Sequence, residues 1–317
     1  MNLHKILRIA RSSHTATPFF SGQRHLGVVL ATLGWCTLSA VLTLLPNTTP
    51  LFEGSGTVNL FFFHLSITIT FFLFGLPYGS SFFTCNKPKL VVFRGLLAEI
   101  SLFVFIFSKV WSPETNRSLL YTIDPIWAAI TILLTKCKIT KLSWTGIFTS
   151  VIGVCVIYYT SEHIWGDFKT FSSGIFSGAL ITINILVLHS LIKTEHTSRI
   201  GFYQGIIGSV FSIGILIFHS SVGAFQFPPI EEMIISLFFG IAYSFALFCF
   251  IQSAFYIEAF VIRITSYSLI FFTEFMKWAI TKELIPTPSI IGIALIIFGG
   301  VKVVLGTFAP EEKKYMN

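Results

Sequence analysis

Four ionisable side chains stand inside otherwise apolar stretches of the sequence: Arg94, Glu99, Asp124 and Glu274. An ionised group at the centre of a bilayer costs about 2.5–3.5 kcal/mol on insertion scales, so such residues face a partner or a water-filled cavity. A helix rises about 1.5 Å per residue, which places Glu99 and Glu274 roughly 15 Å deep and Asp124 roughly 10 Å deep. Each is therefore a candidate for binding a solute inside a membrane.

The neighbours of these residues leave alternatives open. Glu99 has no basic residue three or four positions away, and Arg94 projects from another helix face. Glu99 is expected to face a cavity or to be protonated, unless another helix supplies a partner. Glu274 and Lys277 can instead form an ordinary pair one turn apart. Arg94 either holds a substrate carboxylate or extends to the nearby membrane interface.

Asp124 directly precedes Pro125 in the stretch YTIDPIWAAITILL. Proline cannot donate a backbone hydrogen bond and disfavours helical geometry in the preceding residue, which predicts a helix break. Such breaks beside a polar side chain recur in transporter sites. The alternative is a simple kink with Asp124 as a helix cap. Trp127 is expected to form an aromatic wall of the same site, and Tyr121 to contribute to it.

Neutral polar residues in the apolar stretches extend the candidate set. They are His64, Asn184, Gln204, Tyr243 and Gln252. Any of them can instead hydrogen-bond a neighbouring helix. We add Asn184 and Tyr243 to the predicted substrate-binding residues.

The composition excludes an ordinary soluble protein. Hydrophobic residues make up 54% of the 317 positions and charged residues 11%, with a mean hydropathy of +0.81, whereas soluble chains carry about 25% charged residues. The net charge of +7 is dispersed over short segments, which predicts a lipid bilayer as the surrounding partner and no nucleic acid. The five cysteines form no CxxC pair, so we predict no metal and no cofactor.

A window of about 20 apolar residues, the length that crosses a bilayer, identifies ten predicted spans. They are residues 25–46, 57–78, 89–110, 117–135, 142–160, 171–191, 200–219, 233–252, 262–280 and 288–307. The predicted fold class is an all-α polytopic membrane protein.

The basic residues between the spans indicate the orientation. Most of them fall on the side of the N-terminal arm, residues 1–24, which places this arm and the tail, residues 308–317, in the cytoplasm. The arm carries Lys5, Arg8, Arg11 and Arg24 and no acidic residue, a pattern that an organelle transit peptide also has. The predicted location is the inner membrane of a cell.

An internal repeat relates the two halves at an offset of 146 positions. The matched pairs include Arg117 with Arg263, Tyr121 with Tyr267, Gly146 with Gly292, and Gly153 with Gly299. The predicted units are residues 25–160 and 171–307, joined by a linker at 161–170. Because five helices are an odd number, the second unit enters the membrane inverted, and the substrate site is expected between the units. Arg263 begins a span, which predicts an anchor at the membrane interface.

The segment AITKELIPTPSIIGIALIIFGGV, residues 279–301, resembles the end of a repeat in the drug/metabolite transporter superfamily, in its EamA-like branch. Its counterpart, residues 133–157, is similar but has Cys137 where the second half has Glu283. The resemblance implies a ten-helix carrier with two inverted five-helix repeats. Substrates of that family include amino acids, drugs, nucleotide sugars and S-adenosylmethionine.

Together these features predict a secondary transporter of small organic metabolites that works by alternating access. S-adenosylmethionine, by uptake or exchange, and amino acids are the specific expectations for the solute, with Glu99 and Asp124 favouring a cationic or zwitterionic one. An exporter of amino acids or drugs, a non-transporting membrane scaffold and a lipid-modifying enzyme remain alternatives. No nucleotide-binding or hydrolase motif is present in the sequence, so an enzyme is not predicted.

Overall fold

The computed structural model describes residues 23–48, 56–111, 124–135, 139–160, 168–221, 226–282 and 285–308. Nearly all of these residues are helical, and none of them lies in a β-strand. The helices are α1 (Arg24–Thr48), α2 (Gly56–Gly75), α3 (Pro88–Trp111), α4 (Asp124–Thr135), α5 (Lys141–Thr160), α6 (Phe168–Leu191), α7 (Thr197–Ser221), α8 (Ile230–Ser253), α9 (Ala259–Thr265), α10 (Tyr267–Thr281) and α11 (Thr287–Phe308). A short 3-10 helix, Leu76–Phe83, follows α2.

The helices form an α-helical membrane protein. Seven segments among the described residues are long and apolar enough to cross a bilayer, and two shorter apolar helices, Pro125–Thr135 and Lys141–Ile157, accompany them. Large apolar side chains cover the outside, among them Leu133, Val210 and Phe238, each more than half exposed. Such a surface suits lipid, because soluble monomers rarely expose large contiguous apolar patches.

Every predicted span overlaps a described helix, but only seven of the ten coincide with a described segment that is long and apolar enough to cross a bilayer. One span also differs in form. The predicted span 262–280 consists of α9 and α10, which are interrupted at Ser266. The Ser266 hydroxyl donates a hydrogen bond to the Arg263 carbonyl oxygen over 2.5 Å, and local bonds of this kind compete with regular helix geometry. Arg263 is only 1% exposed. The prediction of an interface anchor is therefore wrong, since this side chain lies in the protein interior.

Helices α5 and α11 are in close backbone contact. A Cβ atom added to Gly146 would lie 2.5 Å from the Gly299 carbonyl oxygen, and one added to Gly153 would lie 2.6 Å from that of Gly292. The reversed order of these contacts makes the two helices antiparallel. Small residues permit this approach, as is usual where membrane helices pack closely.

Helices α2 and α7 pack in the same antiparallel manner. The side chain of His64 lies against Gly208, and that of Phe71 lies against Gly201. Around these two pairs, α1 packs against α8 and α3 packs against α6. The crossing of these helices encloses the cavity described next.

Candidate functional site

A cavity of about 850 Å³, counting the space at its mouth, lies between α1, α3, α6, α7, α8 and α9. Its walls are mostly aliphatic and aromatic, with polar groups at a few positions. Helix α1 supplies Trp35, Leu38 and Leu42, and α6 supplies Asn184 and Leu188 among others. This mixture of an apolar wall and few polar groups is typical of sites for small molecules.

Arg94 lines this cavity and is 3% exposed. Its Nη1 donates a hydrogen bond of 2.7 Å to Oε1 of Gln204, and Nε2 of Gln204 donates one of 3.4 Å to the Tyr243 hydroxyl. Asn184 donates through Nδ2 to the Arg94 carbonyl oxygen over 3.4 Å. The guanidinium therefore lies in the interior, and the alternative in which it extends to the membrane interface is wrong.

Glu99, the next ionisable residue on α3, does not line the cavity. Its Oε2 lies 2.8 Å from Nε2 of His64 on α2, and both side chains are buried. The distance is that of an ion pair, although the imidazole N–H is not aligned with the carboxylate as in a regular hydrogen bond. Nδ1 of His64 is 2.9 Å from the Ser212 hydroxyl on α7. Another helix therefore supplies a partner to Glu99, which was one of the predicted alternatives.

The aromatic wall of the cavity consists of residues other than the predicted Trp127. The Trp35 ring is 4.4 Å from that of Phe250, and its Nε1 donates a hydrogen bond of 3.2 Å to the Ile262 carbonyl oxygen. Tyr243 completes the wall. Trp127 instead packs on α6, where a Cβ atom added to Gly178 would lie 2.4 Å from its ring.

Of the remaining predicted site residues, the structure describes the side chain of Glu274 only. Glu274 is buried on α10 and is not among the cavity-lining residues. Helix α4 begins at Asp124, but the side chains of Asp124 and Lys277 and the whole of Tyr121 lie outside the described residues. The contribution of Asp124 and Tyr121 stays a prediction.

A second polar group, here called the turn cluster, joins the 3-10 helix to the turn between α6 and α7. It comprises Arg199, Glu195 and the backbone of Ser81, Phe82 and Lys87. Arg199 donates to the carbonyl oxygens of Phe82 over 2.9 Å and Ser81 over 2.6 Å. Glu195 forms an ion pair with Arg199 and accepts a hydrogen bond of 2.7 Å from the Lys87 backbone N–H. These bonds hold the two turns together at one end of the bundle.

Two residues beside the turn cluster have shifted pKa values. Burial raises the pKa of the Cys85 thiol, and the nearby Glu195 carboxylate raises it further. Burial lowers the pKa of the Lys193 ammonium, and the like charge of Lys87 adds to this effect. Each shift disfavours the charged form of the group, as desolvation and like charges generally do.

The site has the groups for binding a solute. Among the described residues no group of three His, Cys, Asp or Glu side chains converges as a metal site would require. The polar groups in the described lining of the cavity are one guanidinium, two amides, the indole N–H of Trp35 and hydroxyl groups. These groups donate and accept hydrogen bonds, and the guanidinium adds one positive charge.

Two residues with polar contacts to Glu99 or Arg94, His64 and Gln204, were predicted only as neutral polar residues. One residue of the cavity wall, Trp35, was not predicted at all. His64 and Gln204 were recognised from their position in apolar stretches, without their partners. Trp35 was missed as a cavity residue. The repeat register could have identified Trp35. Its matching residue is Ile181, which lies on the same helix and the same cavity wall as the predicted Asn184.

Comparison with known proteins supports the fold. No family model matches the sequence, and no curated protein matches it. A solved structure described only as the crystal structure of a protein superposes with a TM-score of 0.68 at 15% identity, covering 90% of this chain and 98% of that chain. It is one of 23 matching solved chains. The helical architecture of this chain therefore occurs in proteins of known structure.

Proposed function

We propose that this chain is a secondary transporter of small organic metabolites in the inner (cytoplasmic) membrane. It consists of ten membrane-spanning helices in two inverted five-helix repeats, with both termini in the cytoplasm, and works by alternating access. The observation that carries the proposal is a cavity with a buried guanidinium in its wall, lined by helices from both halves of the chain.

The cavity walls support a site between two repeats. Several lining positions occur in pairs that are 146 positions apart, the offset of the sequence repeat. The pairs are Trp35 with Ile181, Leu38 with Asn184, Leu42 with Leu188, and Ser101 with Leu247. A cavity lined by matching positions is expected where two related units meet, which is where transporters of this build place the substrate.

The antiparallel helix pairs support the inversion of the second repeat. The offset of 146 relates α5 to α11 and α2 to α7. Ser150 donates its hydroxyl to the carbonyl oxygen of Ile296, 146 positions away, over 3.1 Å. Contact between matching residues of antiparallel helices is expected where a twofold axis in the membrane plane passes between them.

The expected solutes are amino acids and related molecules such as S-adenosylmethionine, because these carry a carboxylate that suits Arg94. An exporter of amino acids or drugs remains the alternative within the same mechanism. A membrane scaffold has no use for an open cavity with a buried guanidinium. A lipid-modifying enzyme would have its reacting groups near the headgroups instead.

Counterflow in proteoliposomes tests the proposal. Purified protein is reconstituted into vesicles preloaded with one unlabelled solute, and uptake of the same radiolabelled solute is followed for amino acids and S-adenosylmethionine. We expect at least one solute to show saturable uptake that depends on the preload. Absence of counterflow for all of them would contradict the transporter proposal.

A matched pair of variants on α1 links transport to the cavity. Leu38→Trp fills space at the cavity wall, whereas Leu33→Trp changes a residue that is exposed on the outside of the same helix. We expect Leu38→Trp to abolish counterflow and Leu33→Trp to retain it, with both proteins eluting as monodisperse peaks. Equal activity of the two variants would place the transport path elsewhere.

A further inference from the structure

Arg94 is the one charged side chain that lines the described cavity. It forms no ion pair with a carboxylate among the described residues, where its side chain is bonded to the neutral Gln204. Its Nε has no hydrogen-bond partner there, although the residue is 97% buried. A buried charge without a counterion is costly, so a site that retains one is suited to a ligand of opposite charge.

The nearest acidic residue on α3 does not neutralise Arg94. Glu99 is five positions away and is held by His64 at 2.8 Å. Neither residue of this pair lines the cavity. The Glu99 carboxylate is therefore paired within the helix bundle. It does not neutralise the positive charge that Arg94 brings to the cavity wall.

Hydrogen bonds orient the guanidinium for a ligand. Gln204 donates through its amide nitrogen to the Tyr243 hydroxyl, so its amide oxygen is turned toward Nη1 of Arg94. These hydrogen bonds engage Nη1, whereas the buried Nε of the same planar group has no hydrogen-bond partner among the described residues. A guanidinium edge that includes Nε binds a carboxylate through two parallel hydrogen bonds.

Among the described residues, the cavity wall contains no carboxylate to match a substrate ammonium. Its described lining contains hydroxyl and amide groups but no carboxylate, and an ammonium in an apolar site requires a charged or strongly polar partner. A single guanidinium also balances one negative charge and leaves a doubly charged phosphate partly uncompensated. Aromatic side chains at Trp35, Tyr243 and Phe250 suit an aromatic or apolar body.

We propose that the cavity recognises its substrate through a single carboxylate bound by Arg94, and that an amino group on the substrate is dispensable. The inference rests on the proposed function, because it names the substrate class of the same cavity. Of the two carboxylates expected to favour a cationic or zwitterionic solute, Glu99 is held by His64 instead of lining the cavity. Acids with an uncharged aromatic body are therefore the best-fitting ligands.

Three small molecules with one phenylethyl body separate the two charged groups. They are 3-phenylpropanoate, which has only the carboxylate, phenylalanine, which has both groups, and 2-phenylethylamine, which has only the ammonium. Their binding to the full-length protein in lipid nanodiscs is measured by thermal shift and calorimetry. We expect 3-phenylpropanoate to bind at least as well as phenylalanine, and 2-phenylethylamine to produce no shift.

Substitutions at Arg94 test whether this side chain binds the carboxylate of the ligand. Arg94→Gln should weaken binding of 3-phenylpropanoate by about 10- to 100-fold, the usual effect of losing a charged hydrogen bond, and Arg94→Lys should retain part of it. Lys193→Gln, which removes an exposed positive charge on the α6–α7 turn, should bind like the unaltered protein. The comparison of the three molecules on the unaltered protein stands even if Arg94→Gln fails to fold.

The outcomes distinguish this inference from the transporter proposal. Absence of binding by 3-phenylpropanoate, binding of the amine as tight as that of the acid, or acid binding that persists in Arg94→Gln would overturn carboxylate recognition. Tighter binding of phenylalanine than of 3-phenylpropanoate would contradict the inference that the amino group is dispensable. Acid binding without counterflow of any solute would instead leave the inference standing and contradict only the transporter proposal.

Discussion

The two halves of the chain share a helical scaffold but differ in their buried charges. Each predicted span of the first half has a counterpart 146 positions later, and the structure contains helices at all of these places. Three ionisable groups that are buried on α2 and α3 have apolar counterparts. His64 is matched by Val210, Arg94 by Gly240, and Glu99 by Phe245. These three ionisable groups are therefore not repeated at the matching positions of the second half.

The surroundings of the counterpart positions explain why these three ionisable groups are not repeated. A Cβ atom added to Gly240 would lie 2.4 Å from the Phe63 carbonyl oxygen, so no side chain fits there. Val210 and Phe245 are exposed on the outside of the bundle, where an ionised group would face lipid at considerable cost. The difference teaches that positions matched by a sequence offset can lie in unlike environments.

The largest expected effect tests the shared scaffold. Gly299→Leu would insert a side chain where a Cβ atom would already lie 2.4 Å from the Gly146 carbonyl oxygen. Overpacking against backbone costs at least about 1–3 kcal/mol, and here α5 would have to move away from α11. We expect little folded protein after membrane extraction, measured by size-exclusion chromatography and thermal unfolding.

Gly214→Leu is the control for this substitution. A Cβ atom added to Gly214 has no neighbour within 4 Å, so we expect an unchanged unfolding temperature. If both variants were equally stable, the close contact of α5 and α11 would not hold the two halves together.

A smaller effect tests whether the buried charge of Glu99 is structural. Glu99→Ala leaves Nε2 of His64 without its partner, which lies 2.8 Å away, and we expect a loss of about 2 kcal/mol of stability. His64→Ala should cost a similar amount. Because each change removes the same contact, the double variant should cost less than the sum of the two. Additive losses in a thermal unfolding cycle would show that the two side chains act independently.

The smallest effect concerns the turn cluster, which joins the 3-10 helix after α2 to the turn between α6 and α7. The Glu195 carboxylate raises the pKa of the Cys85 thiol, and Glu195→Gln removes that negative charge while keeping hydrogen-bonding atoms. The pKa should fall toward its ordinary value, which increases the thiolate fraction at a fixed alkaline pH. We expect faster maleimide labelling and a pH profile shifted to lower pH in a protein that retains only Cys85.

Lys193→Gln is the matched control for the labelling experiment, because Lys193 does not contribute to the pKa shift of Cys85. Burial remains in both variants, so part of the elevated pKa should persist in Glu195→Gln. An unchanged labelling profile would contradict the coupling between Glu195 and the thiol.

Much of the fold could be predicted from the sequence, because the membrane imposes a simple pattern. Long apolar stretches must satisfy their backbone hydrogen bonds as helices, and each predicted span therefore overlaps a described helix. The interruption at Ser266 and the burial of Arg263 could not be predicted. Both depend on the packing around α9, which a count of apolar residues along the chain does not contain.

The candidate site was predicted in part, for a similar reason. Arg94, Asn184 and Tyr243 were selected as polar residues at membrane depth, and they lie at one cavity. Trp127 was selected for its proximity to Asp124 in the sequence, yet Trp35 forms the wall. Proximity along a helix does not decide which of its faces meets a cavity formed by several other helices.

The sequence alone determined that this is a helical membrane protein with ionisable groups in its interior, because hydropathy and charge are properties of the residues themselves. Only the tertiary structure decided which charges are paired. Glu99 and Arg94 are five positions apart on one helix, but His64 from α2 meets the former and the cavity meets the latter. Partners on other helices depend on how the helices cross, and that crossing pairs the carboxylate with His64 and places the guanidinium in the wall of the cavity.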